Sequence, residues 1–101
     1  MSRRLITKQS AASTTGTISA FTWGDDGFGA STSSTYTVTF SGGTGSGAQF
    51  TITRTNRIGG MYYVNNVTLS AGGTGYAVND ALTYVMPADG NTVYVTVTGI
   101  V

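Results

Sequence analysis

The chain has 101 residues, a formal net charge of +1, no cysteine and no histidine, and only 9% of its residues are charged. That length supports one compact domain, the near-neutral balance gives no electrostatic case for nucleic acid, and the missing cysteines exclude disulfides and thiolate metal sites. Threonine, serine and glycine replace the missing charge, while eleven aromatic residues separate the sequence from disordered chains.

The first segment, Met1-Ser-Arg-Arg-Leu-Ile-Thr-Lys, carries three of the five basic residues. It has the charge of a signal peptide without the apolar run, and nothing in the chain is long and apolar enough to span a bilayer. A soluble protein made in the cytoplasm is expected. Residues 1–12 read as an extended N-terminal arm docked on a neighbouring subunit, and residues 13–101 as a single β domain.

Thr14 to Trp23 sets Ile18, Ala20 and Thr22 on one side of an extended segment and Ser19, Phe21 and Trp23 on the other, so a strand covered on both faces, or one at an interface, is expected. Gly24-Asp-Asp-Gly-Phe-Gly29 is a turn-rich loop. Tyr36, Val38 and Phe40 alternate with Thr35, Thr37 and Thr39, the signature of a half-buried strand. After the glycine loop 42–47, Phe50 and Ile52 continue that alternation. Asn56-Arg-Ile-Gly-Gly60 can turn the chain back, and Met61 to Leu69 is expected to bend or bulge around Asn65-Asn66. Tyr76 to Met86 predicts a further strand, ended by Pro87, with a hairpin signal at Asp89-Gly90. Val93, Val95 and Val97 should then face the core, and Tyr94, Thr96 and Thr98 the outside. No window has helical periodicity. The predicted fold is all-β: a small antiparallel β-sandwich or barrel-like module of six or seven strands.

Gly-Ser-Gly-Ala-Gln-Phe before one strand and Gly72-Gly-Thr-Gly-Tyr-Ala-Val-Asn-Asp-Ala-Leu-Thr83 before another resemble a β module of structural proteins in tailed phages, notably cyanophages. The resemblance covers roughly residues 41–101. Asn79 stands where that pattern tends to have glycine, and asparagine tolerates the left-handed conformation best after glycine. In physical terms, Tyr76 can lay its ring over the glycine corner, Val78 can point inward, and Asp80 can accept backbone N–H bonds from the turn.

Catalysis is hard to assemble from these residues. Asp25, Asp26, Asp80 and Asp89 are the only side-chain carboxylates, and general acid–base work needs a histidine or tuned carboxylate pairs. Lys8 with a serine has no supporting motif. Asp25 with Asp26, or Asp80 with Asn79, offers oxygen ligands to calcium but lacks EF-hand spacing. The glycine runs lack a phosphate loop's Gly-Lys-Ser/Thr ending. Arg54 and Arg57 read as a solvated edge or intersubunit contact rather than a nucleic-acid site. Tyr62, Tyr63, Tyr76, Tyr84 and Tyr94 could stack on sugars if exposed. No enzyme, cofactor or metal is expected.

The resemblance, with the size of a single short reading frame, implies a virion structural protein, and among those a capsid decoration (cement) protein bound to the major capsid protein at capsomer junctions. Such proteins are homo-oligomers, often trimers, with no membrane or direct nucleic-acid contact. A tail, neck, baseplate or fibre component, or a receptor- or glycan-binding module, is the alternative. The expected partner-binding residues are Arg3, Arg4, Leu5 and Ile6 in the arm, and Phe21, Trp23 and Phe28. Threonine-rich edge strands could add to a partner's sheet.

Overall fold

Alternating apolar and hydroxylated residues form nine strands among the residues that the computed structural model describes, 14–87 and 89–101. These are β1 (Ile18–Asp25), β2 (Ser34–Thr39), β3 (Ser41–Gly42), β4 (Gln49–Arg54), β5 (Asn56–Ile58), β6 (Met61–Tyr63), β7 (Asn66–Ala71), β8 (Ala81–Val85) and β9 (Thr92–Ile100). The fold is all-β and antiparallel, as expected. The surplus over six or seven strands comes from the short pieces β3, β5 and β6. One sheet has the order β1-β9-β8-β3 and a second the order β2-β4-β7, while β5 and β6 form a separate hairpin.

The two larger sheets face each other across one core. Val93, Val95 and Val97 of β9 and Leu82 of β8 meet Phe50 and Ile52 of β4 and Val67 of β7, all buried. Three-way aromatic contact locks the sheets together, with Phe50 edge-on to both Phe21 (4.9 Å) and Phe40 (4.8 Å). Tyr94, Thr96 and Thr98 are exposed.

β1 departs from the expected two-sided strand. Its register with β9 shifts between Ile18 and Ala20 and again between Ala20 and Phe21. Such a bulge adds a residue and reverses the alternation, so Ile18 and Phe21 both reach the core while Ala20 is exposed. β1 therefore buries one face. Similarly, the expected strand from Tyr76 to Met86 is shorter: β8 begins at Ala81, and Tyr76 forms an isolated bridge with Gly16.

The two glycine motifs form a single corner. Ser46 and Thr74 exchange backbone hydrogen bonds of 3.0 Å in both directions, and the Tyr76 ring fills the space left by Gly45 and Gly73, where a Cβ would stand 2.7 Å from its atoms. Asn79 adopts φ 77°, the only positive φ outside glycine among the described residues. Val78, expected inward, is exposed, because the left-handed turn at Asn79 re-aims the chain before β8.

Asp80 closes this corner. Its Oδ2 accepts hydrogen bonds from the Ala77 N–H (2.9 Å), the Thr44 N–H (3.0 Å) and the Thr44 hydroxyl (2.8 Å). These bonds, the Ala77 N–H foremost, hold its carboxyl below the ordinary carboxylate value. A carboxyl depressed in the folded state stabilises the fold above its unfolded pKa and loses that contribution as pH falls through the folded one. Asp80→Asn should therefore lower the melting temperature at pH 7, and the deficit should shrink as the pH drops below about 4. Thermal melts across that range check it; a deficit independent of pH would refute the carboxylate's role.

Candidate interaction surface

The end of the molecule carrying Phe28 is built by three segments. β5 and β6 are joined by Gly59 (φ 61°) and Gly60 (φ 84°), the paired positive φ of a type I′ hairpin turn. That turn sets Ile58 directly opposite Met61, both exposed. The loop after β1 docks on the hairpin: Ala30 and Tyr62 exchange backbone hydrogen bonds of 2.9 and 2.8 Å. Gly29 lies so close that a Cβ there would stand 2.8 Å from the Met61 Cβ and 3.0 Å from the Tyr63 ring. Phe28, next in the chain to Gly29, is 52% exposed, and Ile58 59%. On the hairpin's other face the Arg57 guanidinium sits 5.9 Å from the centre of the Tyr62 ring.

Beneath this surface lies a polar network. Arg54 follows Phe50 and Ile52 on the core side of β4 and is 1% exposed. Its Nη2 stands 3.0 Å from Asp89 Oδ2 and donates to the Phe28 carbonyl at 3.2 Å. Asn91, fully buried, donates through Nδ2 to Asp25 Oδ2 (2.9 Å), and its Oδ1 accepts from the Asp26 N–H (3.1 Å). Asp26 in turn accepts a hydrogen bond from the Tyr94 hydroxyl at 2.9 Å, which raises the phenol's pKa above its ordinary value. The network fixes the loop that carries Phe28.

The expected site residues are thus distributed unevenly. Arg3, Arg4, Leu5 and Ile6 lie outside the described residues. Phe21 is half-buried against Phe50 and belongs to the core contacts. Trp23, opposite Val95 on β1, is 36% exposed, and Phe28 stands well out in solvent. Sequence reading missed Ile58 and Met61. The signal was present, since two apolar residues flanking a two-residue turn sit at a hairpin tip, where burial is hardest. It also took Arg54 for a surface residue, although period-two alternation from Phe50 and Ile52 points it inward.

Among the described residues no three metal-ligating side chains come together, and Asp25 and Asp26 are each engaged by Asn91, Thr92 or Tyr94. Of the five tyrosines considered for sugar stacking, Tyr76 is fully buried, Tyr62, Tyr63 and Tyr84 are partly buried, and Tyr94 is exposed but bonded to Asp26. No family model, curated protein or solved structure matches the chain.

Proposed function

We propose that this chain is a phage virion structural protein, a capsid decoration subunit that binds the major capsid protein at capsomer junctions. One observation carries the interaction part of the reading: Phe28, Ile58 and Met61 stand in solvent at one end, while Asp25 and Asp26, just before Phe28 in the chain, are tied into internal hydrogen bonds. Large apolar side chains held out by a rigid hairpin and a pinned loop are what a contact surface needs. The phage part is supported by the resemblance of residues 41–101. In that motif, Gly45, Gly73, Tyr76 and Asp80 serve the corner itself, as expected for a scaffold.

Few side chains reach out from each copy, so a single contact is weak. Repetition over a shell turns weak contacts into stable attachment, because the second and later engagements are effectively intramolecular. Phe28→Ala combined with Met61→Ala should weaken binding roughly tenfold or more, as loss of central apolar contacts does. Substitutions at such exposed positions change stability by only about 0.5 kcal/mol, so melting should be nearly unchanged. The test adds purified protein to particles of the encoding phage that lack it, counting copies per head by cryo-electron microscopy. Density on the tail alone, or no density on any particle, would overturn the assignment to the head.

A further inference from the structure

We propose that β2 is a self-pairing edge, through which two copies of this chain join antiparallel, strand to strand, about a two-fold axis at Thr37. The inference goes beyond the proposed function and stands without it.

The phase of the β2–β4 ladder decides which groups are free. The Phe40 N–H donates to the Ala48 carbonyl at 3.0 Å, and antiparallel ladders alternate hydrogen-bonded and non-bonded pairs. The register Val38↔Phe50, Tyr36↔Ile52 and Ser34↔Arg54 therefore holds the bonded pairs. Thr35, Thr37 and Thr39 turn their N–H and C=O groups away from β4. On that side no strand pairs with β2 among the described residues.

An open edge normally carries a blunting device: a charge, a proline, a bulge or a covering segment. Among the described residues β2 has none of these. Its six residues, Ser-Thr-Tyr-Thr-Val-Thr, run in unbroken register with β4. The other edges differ. β1 is bulged and carries Asp25, β8 is partly covered by β3, and β7 has a register shift and is approached by β1, with the Ile18 N–H bonded to the Gly72 carbonyl next to it.

A second copy is the occupant that fits. Antiparallel pairing about Thr37 sets Thr37 against Thr37 of the partner subunit, and Thr35 against Thr39 of the partner subunit, so free backbone groups meet free backbone groups throughout. On the outer face this makes threonine pairs of the kind already present between Thr37 and Thr51, whose hydroxyls lie 2.9 Å apart. On the inner face Tyr36 meets Val38 of the partner subunit, an aromatic and β-branched pair that sheets favour. No charged residue lies between Asp26 and Arg54, so the approach brings no like charges together. The pairing extends each three-stranded sheet into one continuous sheet.

Light scattering on the full chain over a concentration series should show a dimer. Thr37→Lys places two ammonium groups opposite each other on the axis and should give a monomer. Since the chain has no cysteine, Thr37→Cys provides a second readout that does not depend on the lysine variant folding. Hydrogen-bonded pairs hold Cα atoms about 5.5 Å apart, within disulfide reach. Oxidation should crosslink Thr37→Cys roughly tenfold faster or more than Thr68→Cys, exposed on β7 of the same sheet, because the bound pair raises effective concentration. A monomer at every concentration, a dimer unaffected by Thr37→Lys, or equal crosslinking rates would each overturn the proposal.

Discussion

Tyr76→Ala should abolish cooperative folding at room temperature or lower the melting temperature by tens of degrees. The ring is fully buried, lies against Gly45 and Gly73, and its hydroxyl accepts the Ala48 N–H at 3.2 Å. Truncating a buried aromatic costs about 3–5 kcal/mol, and the stranded Ala48 N–H adds about 1–3 kcal/mol. A domain of this size holds only about 5–15 kcal/mol in total, and each kcal/mol moves the transition by about 4–8 °C. Tyr76→Phe keeps the ring and loses only the hydroxyl, so its cost should be that of the stranded Ala48 N–H alone, about 1–3 kcal/mol. Gly45→Ala gives the complementary test, since its new methyl group would collide with both the Thr74 carbonyl and the Tyr76 ring. Urea unfolding of the three variants checks the ranking. A Tyr76→Phe loss equal to that of Tyr76→Ala would shift the explanation from the ring to its hydroxyl.

The parts of this fold that were legible are those whose cause is local. A side-chain period of two is a property of a few consecutive residues, so β2, β4 and the valines of β9 could be read directly. Gly59-Gly60 and Asn79 announced their turns for the same reason, as few other residues take positive φ cheaply. The bulge in β1 was not legible because its cause lies on another strand. Ala20 sits opposite Gly99, where a Cβ would come within 3.2 Å of the Ala20 Cβ, so a small residue far along the chain accommodates the shift. That shift put Phe21 on the same side as Ile18, against the core. The interaction surface was half legible. Phe28 stood out in its glycine loop, but its neighbours on the hairpin came together only through the Ala30–Tyr62 bridge, a long-range pairing that no local pattern encodes.

Arg54 is a different case, since the period of two on β4 already pointed it inward and only its charge argued for the surface; it leads to the second large effect. Asp89→Ala should destabilise the chain by about 3–5 kcal/mol, because it leaves a buried guanidinium without its counter-charge. Arginine cannot escape by losing its proton. At 1% exposure it cannot reach water either, and its Nε and Nη1 have no hydrogen-bond partner. Arg54→Met should cost less, since Asp89 remains 14% exposed and keeps the Asn91 N–H bond at 3.1 Å. Combining Arg54→Met with Asp89→Ala should recover much of the loss, because replacing both charges by apolar groups removes the desolvation penalty together with the attraction. A double variant as unstable as the two losses summed would show that the residues act independently. The pair also reaches the surface, as Arg54 Nη2 donates to the carbonyl of Phe28. In Asp89→Ala the guanidinium is free to move, so the loop that holds Phe28 should loosen. Amide exchange from Asp26 to Ala30 should accelerate in Asp89→Ala beyond the change expected from global stability, whereas Tyr76→Phe, at the glycine corner, should alter exchange there only through global stability.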